Sequence, residues 1–284
     1  MAVMTRLDER VWTVHGQATL PRLFRHVVGV RGEQVAMREK HLGIWRAITW
    51  REYGERARRV GLGLVALGLR PRDVVSIIAD NGPEWLYTDM GTMSVGGVTN
   101  GIYTTDSPRQ VEYIVNDSGT RFFFAENEEQ LDKILESRAR CPQLATIFVY
   151  DMEGLHGFRD PQVMPFEQLV ELGATYDREH PGAFDAMVEI AQPDDLAILV
   201  YTSGTTGPPK GAMLSHRNIL FQLAYADFLA KPEPVDQQLS FLPLSHVAER
   251  TFSVFPAAHR RDRELRGCSR APCRCSPRSS RSRR

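Results

Sequence analysis

Five of the six residues in Val74-Val75-Ser76-Ile77-Ile78-Ala79 are apolar, and four of them are β-branched. Such a run has no polar alternates to turn toward water, so it predicts a strand covered on both faces. The flanking segments supply helices to cover it. Thr49-Trp50-Arg51-Glu52 fits a capping box, in which hydroxyl and carboxylate satisfy free amides at a helix start. Apolar residues then recur at Trp50, Tyr53, Ala57, Val60, Leu64 and Leu67, with Gly68 and Pro71 as the stop. Asn81-Gly82-Pro83 opens a second helix carrying Trp85, Leu86 and Met90. Ser107-Pro108-Arg109-Gln110 is another capping box, with proline at the first helical position. Arg121–Ala125 and Thr146–Tyr150 are predicted strands on either side of a helix that starts near Asn127. Strand and helix alternate, which predicts an α/β architecture with largely parallel strands.

The same alternation continues toward the C-terminal half. Leu196–Val200 is an apolar strand that runs into Tyr201-Thr-Ser-Gly-Thr-Thr-Gly-Pro-Pro-Lys-Gly211. Residues 211–215 form a second short strand, residues 216–229 a helix with Ile219, Leu220, Leu223 and Phe228, and residues 239–246 a strand ending in a loop. The 201–211 segment has the chemistry of an anion cradle. Gly204, Gly207 and Gly211 let backbone N–H groups approach a phosphate, Thr202, Ser203, Thr205 and Thr206 add hydroxyls, and Lys210 adds charge. It is not a Walker loop, because only Thr205 and Thr206 separate Gly204 from Gly207 and Lys210 follows proline. The dinucleotide-binding Gly-x-Gly-x-x-Gly is also absent. On residue chemistry alone, a hydroxyl-rich surface turn with an incidental lysine stays open.

The formal net charge of zero conceals two halves of different character. Residues 257–284 hold ten arginines against Asp262 and Glu264, which leaves 25 basic and 33 acidic groups for residues 1–256. Three of the four cysteines, Cys268, Cys273 and Cys275, also lie in that tail. Their spacing matches no paired zinc motif. Low apolar content predicts a disordered basic tail after a body of residues 1–256. The tail's arginine and serine leave two readings: an electrostatic nucleic-acid binder, or out-of-frame translation of a G/C-rich coding sequence. The second is favoured, because the break falls inside a domain. No run approaches the roughly 18–20 apolar residues of a membrane span, and no apolar segment follows Arg6 and Arg10, so a cytoplasmic location is the default.

The full 201–211 segment resembles the phosphate-binding loop of the AMP-forming adenylating enzymes, with Pro208-Pro209 where one variable residue and one proline are usual. The likeness extends through residues 48–69, 73–85 and 96–126. Leu242-Pro-Leu-Ser-His-Val-Ala-Glu-Arg-Thr-Phe252 is similar to a segment of the long-chain acyl-CoA synthetases. This resemblance implies the family's large N-terminal domain, cut short. It implies a ligase that activates a fatty acid or other carboxylate with ATP and magnesium, then transfers the acyl group to coenzyme A. Thr202, Ser203, Gly204, Thr205, Thr206, Gly207 and Lys210 would hold phosphates, and His246 would border the acyl carboxylate and act in catalysis. Glu249 and Arg250 fit a structural ion pair better than chemistry. The family's Thr-Glu metal-ligand segment, ribose-binding aspartate and C-terminal lysine domain do not follow Pro256, so the chain is expected to be inactive alone and poorly soluble. A non-catalytic nucleotide- or acyl-binding remnant is the alternative. Specific nucleic-acid binding is not expected; metal ligands, peripheral membrane contact, acyl-chain length and oligomeric state are left open.

Overall fold

A computed structural model describes residues 13–202, 207–229, 237–254 and 264–267. The chain begins with helix α1 (Leu20–Arg31), the hairpin strands β1 (Val35–His41) and β2 (Ile44–Thr49), and helix α2 (Trp50–Ala66). A βα succession follows: β3 (Val74–Ile78), α3 (Pro83–Ser94), β4 (Val98–Ile102), α4 (Pro108–Ser118), β5 (Thr120–Ala125), α5 (Glu128–Leu135), β6 (Thr146–Val149) and β7 (Val163–Pro165). Helices α6 (Phe166–Glu179) and α7 (Ala183–Ile190) lead to β8 (Leu196–Thr202), β9 (Lys210–Ser215) and α8 (His216–Leu229). Strand β10 (Gln237–Ser240), the single turn α9 (Val247–Glu249), a π-helical turn (Arg250–Val254) and β11 (Glu264–Gly267) complete the described chain.

Both capping boxes form as their spacing requires. Glu52 N–H donates to Thr49 Oγ1 at 3.2 Å while Thr49 N–H donates to Glu52 Oε2 at 2.7 Å. Ser107 N–H donates to Gln110 Oε1 at 2.9 Å, with the reciprocal bond at 3.4 Å. The larger sheet has the order β7-β6-β5-β3-β4-β8-β9. Its neighbours are parallel except for the antiparallel β8–β9 pair. Strand β3 is buried at all five positions, as its composition predicts. Val75 and Ile77 face one core with helices α1, α2, α3 and α6, whereas Val74 and Ile78 face a second core with α4 and α5. The helices divide this way because the chain steps from β3 to β4 in one direction and from β4 to β5 in the other. Right-handed crossovers then lie on opposite faces.

Helix α2 buries more than the single stripe expected of it. Gly61, Leu62 and Gly63 are buried together with Trp50, Tyr53, Ala57, Val60 and Leu64. It lies between α3 and α6, and a methyl group on Gly173 of α6 would stand 1.7 Å from the Arg59 carbonyl oxygen of α2. The predicted strand at 239–246 shortens to β10, because Asn81 takes the polar groups of the following turn. Its Nδ2 donates to Ser240 Oγ at 2.9 Å and to the Leu242 carbonyl at 2.7 Å, and Leu244 N–H donates to its Oδ1 at 2.9 Å. A smaller sheet has the order β10-β11-β1-β2. Of the basic tail, Glu264–Gly267 is described, as strand β11 parallel to both β1 and β10. The expectation of a disordered tail otherwise falls outside the described residues.

Candidate functional site

Strands β8 and β9 form the stalk of a hairpin whose tip is the glycine- and hydroxyl-rich segment. Thr202, the last residue of β8, is the register partner of Lys210, the first residue of β9. Both are exposed, as is Gly207, whose φ of +91° is a left-handed conformation natural to glycine. A Cβ at Gly207 would meet nothing within 4 Å, so the backbone there is open to an incoming group. Ser203, Gly204, Thr205 and Thr206 lie outside the described residues. The stalk is anchored next to its mouth. Tyr201 Oη donates to Asp117 Oδ2 of α4 at 2.7 Å. Burial first, and the Asp117 carboxylate second, push the Tyr201 phenol up, so it remains a donor. Its ring lies against Gly211, where an added Cβ would stand 3.0 Å from Tyr201 Cζ.

The second element of the site arrives from far along the chain. Strand β4 neighbours β8, with Gly101 in register with Val200. A Cβ on Gly101 would stand 2.6 Å from Ser245 Cα, so the absent side chain is what lets the 244–246 segment rest on this strand. His246 follows and is exposed. Its Nδ1 accepts the Ala248 N–H at 3.0 Å and caps α9. That bond selects the neutral tautomer with the proton on Nε2, leaving an N–H donor on the other side of the ring. The His246 segment therefore rests on β4, the strand next to β8 of the hairpin stalk.

Arg250 and Asp89 are both fully buried and form a salt bridge. The guanidinium also lies 5.1 Å from the centroid of the Trp85 ring. Burial pushes the Asp89 carboxyl up and the Arg250 guanidinium down, and the opposite charge of each partner opposes that shift. The ion pair expected between Glu249 and Arg250 is thus replaced by one between Arg250 and α3. Adjacent residues on a helical turn point apart, whereas Asp89 faces the turn from a packed helix. Glu249 is buried, and its Oε1 has no hydrogen-bond partner among the described residues.

Sequence reading did not single out Asn81, Asp89 or Asp117 as supports of this site. Asn81 carried a local signal, but as a helix opener. Asp89 and Arg250 are 161 positions apart, and Asp117 and Tyr201 are 84 apart, so neither pairing leaves a periodic trace. Among the described residues no group of three or more His, Cys, Asp or Glu side chains could hold a metal ion. None of their helices is long and apolar enough to cross a membrane.

Comparison with known proteins follows the same lines. The family model described as AMP-binding enzyme matches residues 24–261. The chain is 34% identical over 241 residues to the long-chain-fatty-acid–CoA ligase ACSBG1 of Homo sapiens, covering 84% of this chain and 33% of that protein. It is 32% identical over 259 residues to the ligase ACSBG2 of Xenopus laevis, covering 89% of this chain and 34% of that protein. The chain thus spans about a third of the length of these curated relatives. Among solved structures, the anthranilate CoA ligase AuaEII in complex with anthranoyl-AMP superposes with a TM-score of 0.73 at 22% identity, covering 91% of this chain and 45% of that one. The adenylation domain of a carboxylate reductase from Mycobacterium chelonae gives a TM-score of 0.72 at 23% identity, covering 88% of this chain and 42% of that one. These two likenesses establish a shared fold.

Proposed function

The chain belongs to the AMP-binding enzyme family, and from that premise we propose that it carries the phosphate- and carboxylate-facing part of a fatty-acid–CoA ligase. The observation that carries this reading is the pairing of Thr202 with Lys210 at the mouth of the β8–β9 hairpin, one strand from the segment bearing His246. In it, Thr202 and Lys210, with Gly207 and the 203–206 segment, bind the β- and γ-phosphates of ATP. The open backbone at Gly207 and the exposed ammonium of Lys210 fit a polyanion. His246, held as the Nε2–H tautomer, donates toward the carboxylate oxygen of a fatty acid. These groups position reactants and offset charge, which is the main source of acceleration in phosphoryl chemistry.

ATP supplies the leaving pyrophosphate when bound, and coenzyme A would accept the acyl group. Among the described residues no cluster of three or more carboxylate, histidine or cysteine side chains is placed to hold magnesium. The alternative is a remnant that binds nucleotide or acyl group without turnover.

Calorimetric titration of the 284-residue chain with pyrophosphate tests the loop. Lys210→Ala is expected to weaken binding at least about tenfold, or about 1.4 kcal/mol. Equal affinity in both proteins would remove Lys210 from the site. AMP release in the presence of a fatty acid and ATP separates a ligase from a binding remnant.

A further inference from the structure

His246 lies in a segment with little regular structure of its own, yet anchors on α3 and on the turn before it bracket that segment. Upstream, the three bonds from Asn81 hold residues 240–244. Downstream, Arg250 is four residues beyond His246, and its guanidinium is buried between Asp89 and Trp85. Two features of the downstream anchor go beyond ordinary packing. Asp89 and Arg250 are each 0% exposed, and removing two charges from water is unfavourable enough that an apolar pair of equal volume commonly stabilises a fold as well or better. An ion pair instead provides direction. Asp89 sits inside a helix buried at nearly every position, so it presents a nearly immobile acceptor, and a guanidinium that also faces Trp85 has few orientations in which both contacts survive.

The backbone links this anchor to the histidine. The Glu249 N–H donates to the His246 carbonyl at 3.2 Å, and the Ala248 N–H donates to His246 Nδ1 at 3.0 Å. The turn containing residues 246–250 is therefore closed at its start by the imidazole and fixed at its end by the buried guanidinium. Without the guanidinium anchor, the turn is free to shift on α3, which would carry the Ala248 amide away from Nδ1. The ring would then lose the bond that holds its proton on Nε2.

We propose that Asp89 and Arg250 are positioning residues for His246: the buried pair sets the placement of the turn and thereby the orientation and tautomer of the imidazole. The inference rests on the role given to His246 above, but it concerns the free protein. It assigns a site function to a residue of α3 that lies 157 positions before the histidine in sequence.

The test uses the full 284-residue chain without ligand and two readouts: ¹⁵N spectra of the His246 ring and hydrogen exchange at the Ala248 amide. In the parent protein, the ring is expected to show one tautomer, with Nδ1 accepting and Nε2 protonated. Arg250→Met should give an averaged tautomer signal and speed Ala248 exchange at least about tenfold, while the amides of Phe123 and Phe124 in β5 remain as protected as before. An unchanged ring spectrum would overturn the proposal. So would equal loosening of β5, which would make the pair a general stabiliser. If Arg250→Met does not fold, Arg250→Lys decides, since it keeps the charge and loses the planar fork. The same localised change is expected, and a parent-like ring would refute the assignment. None of these signals depends on phosphate binding, so a silent Lys210→Ala titration leaves this inference standing, and its failure leaves the phosphate loop standing.

Discussion

His216 opens α8 directly after the β9 strand and is buried, with no hydrogen-bond partner for Nδ1 among the described residues. Burial pushes its pKa from 6.5 down to about 4, with the Asp195 carboxylate opposing that shift. A neutral imidazole is therefore favoured in the folded chain, while the unfolded chain protonates it near the ordinary value. Between those two values the unfolded state binds more protons, so stability falls as the pH is lowered. At about 1.4 kcal/mol per pKa unit, the full effect is about 3 kcal/mol, and about 2 kcal/mol of it has developed by about pH 5. Burial pushes the Glu84, Asp89 and Asp106 carboxyls up, which has the opposite sign and overlaps the same acid range. The raw acid profile mixes these effects, and a difference between two proteins isolates the histidine. Urea unfolding of the parent and of His216→Leu, at about pH 7.5 and about pH 5, provides it. The parent should lose about 2 kcal/mol relative to the variant on acidification. A stability difference that stays constant between the two pH values would show that His216 is protonated within the fold, and the burial argument would fail.

Two further perturbations probe the scaffold. Gly173→Ala places a methyl group where 1.7 Å separates it from the Arg59 carbonyl oxygen; separating α2 from α6 to admit it should cost about 3 kcal/mol, measured as a lowered urea midpoint with an unchanged slope. Leu42 and Gly43, which join β1 to β2, have φ of +46° and +86°, and Leu42→Asn supplies a residue suited to that hairpin turn, so thermal unfolding should show a gain of about 1 kcal/mol. No change at Leu42→Asn would mean that the exposed leucine is not strained there.

The short-range physics of this chain is written in its residues. Hydroxyl and carboxamide or carboxylate at fixed spacing specify the starts of α2 and α4, because a capping box is complete within four residues. Val74–Ile78 has no polar alternates beyond Ser76, so burial on both faces follows from its composition. The hairpin mouth at Thr202 and Lys210 is likewise local. Elements with weaker patterns were not legible. Strand β4 contains Asn100 and Gly101, and its place depends on neighbours: Asn100 donates to Ser76 Oγ at 2.9 Å, and Gly101 makes room for Ser245. The three polar bonds of Asn81, the tie from Asp117 to Tyr201 and the ion pair of Asp89 with Arg250 also arise only in the folded chain. Each joins residues more than 80 positions apart, and what selects the partner is burial, direction and the cost of an unsatisfied charge. Local sequence marked out the glycine- and hydroxyl-rich segment and His246; the tertiary structure decided what holds Tyr201 and the turn after His246 in place.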